Sequence, residues 1–360
     1  MRDDVVSIAK AIGIMLMVLA HTWFSQVANH WINMFHMPLF FILSGYCFKE
    51  KWLADVIGYT IRRMKSIYIP FVKWSLLFLL LHNLFFRLNI INDSFGWKGT
   101  VSSLYTIHDF FVHIFRIVVA MADSECFLGG YWFLKSLLYA SFFSYLLLKY
   151  LPVKLSIVLT MLLTMATSYY ELSIPFIEVG QSEIFATTFV LSGFEIRRFG
   201  GANVISSNLF WILVGISIVL VSIGTVYWQA IVPRCEWWKV IPYYITAIAG
   251  SMSVLLCSRL ICGMKHDGLK RKLVFIGDNT MSILTWHMLS FKLVTLTIIC
   301  IYNLPIEHLA EFPAIESYSA KGWFVAYFAI GIGLPICSKK ILSKTEMTRL
   351  FKGIFTNKRQ

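Results

Sequence analysis

The chain has 360 residues, of which 58% are hydrophobic, 16% aromatic and only 14% charged, with a mean hydropathy of +0.70. Soluble domains are nearer half apolar and a quarter charged, so this composition excludes an ordinary soluble globule and indicates a chain that crosses a membrane several times. The net charge of +13 does not point to nucleic acid, because Lys and Arg gather at the ends of apolar runs and form no soluble stripe interleaved with aromatics.

In chain order, apolar runs predict spans near 5–24, 33–48, 67–86, 129–148, 153–169, 183–196, 204–226, 240–260, 279–301 and 322–338. The second and sixth are short for a full crossing and read as tilted, broken or partly re-entrant. The first span has no small-x-small cleavage site, so it reads as a retained helix and not as a signal peptide. Around 105–121, Arg116 and His113 among apolar neighbours suggest an amphipathic helix lying at the interface. The expected fold class is all-α integral membrane, with about ten helices in one domain over 1–345 and a basic cytoplasmic tail over 346–360. No internal repeat of the kind that builds many transporters is visible.

Charge sets the expected orientation. With the N-terminus inside, inner segments carry 22 Lys and Arg and outer segments 6, with four more (Lys10, Lys73, Lys135, Lys292) inside spans. A bias that alternates loop by loop places both termini in the cytoplasm.

Three segments could carry chemistry. The first span closes on His21, and His36 opens the second span within Phe35-His36-Met37-Pro38. Imidazole is the side chain suited to proton transfer near neutral pH, and an ionisable group in a span is a functional candidate by default. The ordinary alternatives are an interfacial histidine beside Trp23 and a polar helix start. The connection between the two is short and free of Lys and Arg, so the rings are expected to face each other across a hairpin on the outer side. The second segment runs from Tyr59 to Phe71 and holds Arg62, Arg63 and Lys65. It reads as a positive-inside cluster or as a cytoplasmic cradle for the phosphates of an anionic cosubstrate such as coenzyme A. The third is Ile276-Gly277-Asp278-Asn279-Thr280, a turn leading into a helix with His287 mid-span, where the alternative is a buried histidine bonded to a neighbouring helix. Lys73, His82, Lys135 and Lys292 are further polar groups within spans, and lysines near helix ends often only snorkel.

The seven cysteines show no CxxC pair or zinc-ligand spacing, so no metal is expected. Cys126 and Cys235 fall in two long loops expected outside, where a lone pair more often stays unbridged.

Several blocks together resemble the membrane-bound acyltransferase family 3, and most closely its short branch of fucose 4-O-acetylase-like and enterobacterial-common-antigen O-acetyltransferase-like proteins. They are Ile8-Ala9-Lys10-Ala11-Ile12-Gly13-Ile14 with His21-Thr22, Phe35-His36-Met37-Pro38-Leu39-Phe40-Phe41-Ile42-Leu43-Ser44-Gly45-Tyr46, Arg62-Arg63 with Ile69-Pro70-Phe71, Tyr131-Trp132-Phe133-Leu134, and Ile276-Gly277-Asp278-Asn279-Thr280-Met281-Ser282-Ile283 with His287. The resemblance implies that His21 is the essential catalytic residue, with His36 and His287 as further candidates, and that Arg62, Arg63 and Lys65 handle the acyl donor. The sequence departs from the family at Ser66, where a second arginine is usual, and after the Trp motif, where the longer branch carries a Glu pair and this chain reads Lys135-Ser136. His36 or a serine hydroxyl is then the candidate to orient His21. The implied activity is transfer of an acetyl group from cytoplasmic acetyl-CoA to a hydroxyl of a cell-surface or lipid-linked glycan, in a bacterial inner membrane. The competing expectation is a multi-span transporter or exporter of a small polar solute, with in-span His and Lys as its sites.

Overall fold

In a computed structural model, residues 3–96, 101–122, 125–200, 207–264 and 267–344 are described, and the predicted tail at 346–360 lies outside them. The fold is helical: α1 (Asp4–His21), α2 (Gln26–Asn33), α3 (His36–Tyr46), α4 (Val56–Arg63), α5 (Ile69–Arg87), α6 (Ile107–Phe115), α7 (Trp132–Tyr150), α8 (Val153–Tyr169), α9 (Gln181–Arg198), α10 (Ser207–Tyr227), α11 (Val240–Gly263), α12 (Asp267–Asp278), α13 (Thr280–Tyr302), the single turn α14 (Glu316–Tyr318) and α15 (Phe324–Lys344). Six helical segments among the described residues are long and apolar enough to cross a membrane: Asp4–His21, Val56–Arg87, Leu209–Tyr227, Trp237–Gly263, Thr280–Tyr302 and Glu316–Ser338. The chain is a multi-pass membrane protein.

Each of the ten predicted spans coincides with a helix, but α7 and α9 are not apolar all round. Their buried faces carry Ser136, Ser141, Ser144, Thr187, Thr188 and Ser192. Ser141, Thr187 and Ser192 return their hydroxyl protons to carbonyls one turn back, which satisfies them without water. The sixth run is also longer than its apolar stretch suggests. The Glu183 carboxylate accepts the Gly180 N–H at 2.9 Å, capping α9 and extending it to 18 residues.

Besides the single turn α14, three helices, α2, α4 and α12, lie in segments read as connections. Ser25 caps α2 inside the 22–35 connection, accepting the Ala28 N–H at 3.3 Å. The basic segment after α11 contains α12, which packs along α1, where Ile8, Ala11 and Leu273 form a small buried cluster and Lys270 pairs with Asp4 at 3.1 Å. At 105–121 a Thr106–Asp109 capping box starts α6, and Ile107, Phe111 and Phe115 stay exposed, as an interfacial helix requires.

Helix α1 is the hub, touching α3, α11, α12 and α13. Two crossings depend on missing side chains. A Cβ on Gly45 would collide with the Val190 carbonyl and one on Gly193 with the Ile42 carbonyl, so α3 and α9 meet backbone to backbone. A Cβ on Gly277 would collide with the Ser7 carbonyl, and Ser7 Oγ donates to Asp278 at 3.1 Å beside it. The Gly277-Asp278-Asn279 turn is therefore the corner that seats α12 and α13 on α1.

Candidate active site

His21 and His287 meet. His21 Nδ1 lies 2.9 Å from His287 Nε2. The ring centroids are 5.1 Å apart with only 15° between planes, the arrangement of an N–H···N bond lying in the plane of both rings. His287 Nδ1 sits 2.9 Å from the Ile283 carbonyl and 3.1 Å from that of Leu284.

These contacts fix the protons of the neutral pair. A carbonyl only accepts, so His287 Nδ1 carries a proton and its Nε2 is a bare acceptor. His21 Nδ1 must then be the donor, which leaves the lone pair of His21 on Nε2. The tautomers follow from the bonding network, as they must where hydrogens are assigned from partners. His287 is fully buried and His21 half-buried, so the outward nitrogen of the pair belongs to His21. Packing holds both rings: Ile14, Met17 and Val18 of α1 share a cluster with Ile283, Phe291 and Val294 of α13. The Phe291 ring stands edge-on to His287 at 5.8 Å. Beyond His21, the Ser319 hydroxyl donates to the Thr22 carbonyl and ties the chain before α15 to the end of α1.

His36 takes a different role. Its Nδ1 lies 2.9 Å from the Ile32 carbonyl, one turn back in α2, and it is buried. The direct partner of His21 is His287, not His36 or a serine.

The basic segment bounds a cavity of about 540 Å³. Lys10, Lys49, Lys51, Arg62 and Arg63 line it with no carboxylate among the lining residues. Arg63 is oriented from two sides, its Nε donating to Tyr59 Oη at 3.1 Å and its Nη2 to Ser44 Oγ at 3.0 Å. Tyr59 is itself buried, stacked on Tyr145 and bonded to the Ser141 carbonyl. Ser44, Tyr59 and Trp52 are site residues the sequence reading passed over. The Ser44-Gly45 pair was a visible signal, with Gly45 serving the α9 crossing and Ser44 the guanidinium. Arg62 also lines the cavity, whereas Lys65 is exposed and borders only a shallower groove with Trp52, Gly58, Ile61, Arg62 and Ser66. Residues Met64–Tyr68 form a π-helical turn, a distortion frequent at functional sites, and it carries Ser66 on its exposed side.

The cavity runs toward the histidines. On α1 its wall is Lys10, Ile14 and Met17, and on α13 it is Thr280, Met281 and Leu284. Residues three or four apart share a helix face, and the next residue on each stripe is His21 and His287 respectively. Eleven residues of helix separate Lys10 from His21, a rise of about 16 Å. The inner lining is apolar (Met17, Met37, Phe40, Phe133, Leu284) and the Lys10 end is cationic.

The remaining in-span polar groups are engaged elsewhere. Lys73 lies over the Trp74 ring. His82 Nδ1 pairs with Glu125 at 2.9 Å while its Nε2 meets the Ser103 carbonyl. Lys135 is 3.9 Å from Glu178, and Lys292 donates to the Leu309 and Glu311 carbonyls. All seven cysteines are free thiols, including Cys126 and Cys235. No cluster among the described residues has the make-up of a metal site.

The sequence matches the acyltransferase domain of acyltransferase family 3 over residues 5–338, and the chain belongs to that family. It is a membrane enzyme that transfers acyl groups, which decides between the enzyme and transporter expectations. No curated protein and no solved structure matches it.

Proposed function

We propose that the protein moves an acetyl group from acetyl-CoA to a hydroxyl of a cell-surface or lipid-linked glycan, in a bacterial inner membrane with both termini in the cytoplasm. The observation that carries this reading is a cavity lined by five cations at one end and by apolar side chains beyond, a path whose walls on α1 and α13 end one helical turn short of the His21–His287 pair, where the lone pair of His21 falls on Nε2. Coenzyme A fits such a path, since its phosphates suit Arg62 and Arg63 and its thioester arm is long, flexible and carries little charge.

A sugar hydroxyl is a poor nucleophile at neutral pH, so a base must take its proton as it attacks. In the proposed step His21 Nε2 accepts that proton while the hydroxyl oxygen bonds to the thioester carbonyl carbon. The carbon–sulfur bond then breaks, the acetyl group stays on the sugar oxygen, and the proton passes from His21 to the departing thiolate. His287 keeps the lone pair on the correct nitrogen throughout. Arg62 and Arg63 hold the donor, with Lys65 as an outer contribution at the mouth. His36 supports the hairpin beside the base. A transient acetyl on His21 Nε2 would use the same lone pair, and acid quenching of the enzyme with labelled acetyl-CoA distinguishes the routes, because only that route leaves label on His21.

The decisive experiment replaces His21 with Ala in a strain carrying the gene. Mass spectrometry of surface glycans is expected to show O-acetylation in the wild type and none in a variant that inserts at the same level. Unchanged acetylation in that variant would end the proposal.

A further inference from the structure

Resting on the donor reading above, we infer that Trp52 is the platform for the adenine base of the acyl donor, so that this chain recognises the nucleotide by stacking as well as by charge. Trp52 lies in a short helical turn, Glu50–Ala54, between α3 and α4. Tyr145 Oη donates to the Leu53 carbonyl at 3.2 Å and anchors that turn to α7. Trp52 itself rests at the edge of the buried Phe48, Tyr59, Tyr145 cluster, tilted 48° against Tyr59 at 6.5 Å. The indole is thus held from one side.

Its remaining surface borders both the deep cavity and the shallower groove, so it forms part of the wall between them. Two cations lie over the ring, the Arg62 guanidinium at 5.5 Å and the Lys51 ammonium at 5.2 Å from its centroid. Among the described residues the indole N–H of Trp52 has no acceptor, as is also the case for Trp74 and Trp286. A half-exposed, anchored indole flanked by cations at a cavity mouth has the make-up of a nucleotide site. A base that stacks on the ring takes the place these two side chains hold over it, and both are long and flexible enough to turn onto phosphates attached to the same nucleotide. The thioester arm then enters the deep cavity past Arg63. A phospholipid headgroup would use the cations and leave the ring without a planar partner.

The test measures equilibrium binding of three probes to the full chain in detergent micelles: acetyl-CoA, acetyl-phosphopantetheine, which keeps the arm and lacks the nucleotide, and 3′,5′-ADP, which keeps the nucleotide and lacks the arm. Trp52→Ala is expected to raise the Kd for acetyl-CoA and for 3′,5′-ADP about tenfold and to leave that for acetyl-phosphopantetheine unchanged. Trp52→Phe, which keeps an aromatic face, is expected to recover most of the affinity, and anionic phospholipid is expected not to displace 3′,5′-ADP from the wild type. Unchanged acetyl-CoA affinity in Trp52→Ala, equal weakening of all three probes, or displacement by the phospholipid overturns the inference. Wild-type protein that binds none of the three overturns the donor reading as well, so the two failures are distinguishable.

Discussion

Replacing His287 with Phe would keep a ring of similar volume against Phe291 while removing the acceptor for the His21 Nδ1 proton and the donor to the Ile283 and Leu284 carbonyls. Two losses follow. A polar group in a buried setting loses its partner, an effect of about 1–3 kcal/mol. His21 also becomes free to adopt the other tautomer, in which Nε2 bears the proton and cannot accept one. If the first effect falls wholly on the transition state, kcat drops by about 5- to 150-fold, and the tautomer effect adds to it. The change should appear in kcat and leave the KM for acetyl-CoA nearly constant, because the pair lies beyond the donor's cationic mouth. His287→Gln returns an amide oxygen toward His21 Nδ1 and is expected to recover about tenfold over His287→Phe, an effect of the size of one hydrogen bond. The double variant with His21→Ala should be no worse than His21→Ala alone, since the two act as one unit. The assay is acetyl-CoA-dependent glycan acetylation in membrane vesicles, with insertion checked by size-exclusion chromatography. Wild-type kcat in His287→Phe, or a loss confined to donor KM, would refute the reasoning.

Arg63→Ala removes a guanidinium oriented by Tyr59 and Ser44, and is expected to weaken acetyl-CoA binding by about ten- to a hundredfold, the range for a charge-assisted contact. Arg63→Lys should rescue little, because a point charge cannot keep both hydroxyl contacts and face the cavity, while Lys65→Ala should change Kd by less than about twofold, as an exposed cation does. Calorimetry with acetyl-CoA checks all three. Met17→Trp fills the inner cavity one turn short of His21, so transfer should vanish while 3′,5′-ADP still binds with wild-type Kd. Gly277→Ala drives a methyl group into the Ser7 carbonyl; a loss of about 1–3 kcal/mol is expected from overpacking, read as a lower midpoint of thermal unfolding in detergent.

The parts of the molecule legible in the sequence were those set by a strong local signal. Runs of apolar residues located a helix at each predicted position, and the histidines and arginines stood out because ionisable groups are scarce in such runs. The turn at Gly277 was visible, but its reason was not: it needs the Ser7 backbone, 270 residues away in the chain. Helices α2 and α12 were missed because capping by Ser25 and packing of an amphipathic face on α1 replace the long apolar stretch that marks a span. The partner of His21 was the least readable feature. Proximity in sequence favoured His36, across a short connection, yet α2 intervenes there and gives His36 its own carbonyl. The pairing of His21 with His287 spans 266 residues and depends on α12 and α13 turning back along α1.

With His21 as the proposed base, that pairing bears on how a base can be kept inside a membrane protein. Where a soluble enzyme orients a histidine with a carboxylate, the resting site contains a buried negative charge. Within a bundle that charge is expensive and needs a compensating cation. Directly after the Trp132 motif this chain has Lys135-Ser136 and no acidic residue, and the orienting group is an imidazole whose second nitrogen is satisfied by main-chain carbonyls of its own helix. Two neutral rings satisfy these bonds: among the described residues, every ring nitrogen of the pair has a partner except the Nε2 of His21. Charge arises only when that atom takes a proton, and the Nδ1–H···Nε2 dipole already points so as to favour the cation. The stabilisation is smaller than a carboxylate would give, but no charge must be buried before the substrates arrive. On this reasoning His287→Asp at the same position should not improve the enzyme: its shorter side chain leaves a gap to His21 and its charge has no partner, so loss of folded protein in detergent is expected, measured by size-exclusion chromatography, and a variant both well folded and more active would contradict the argument.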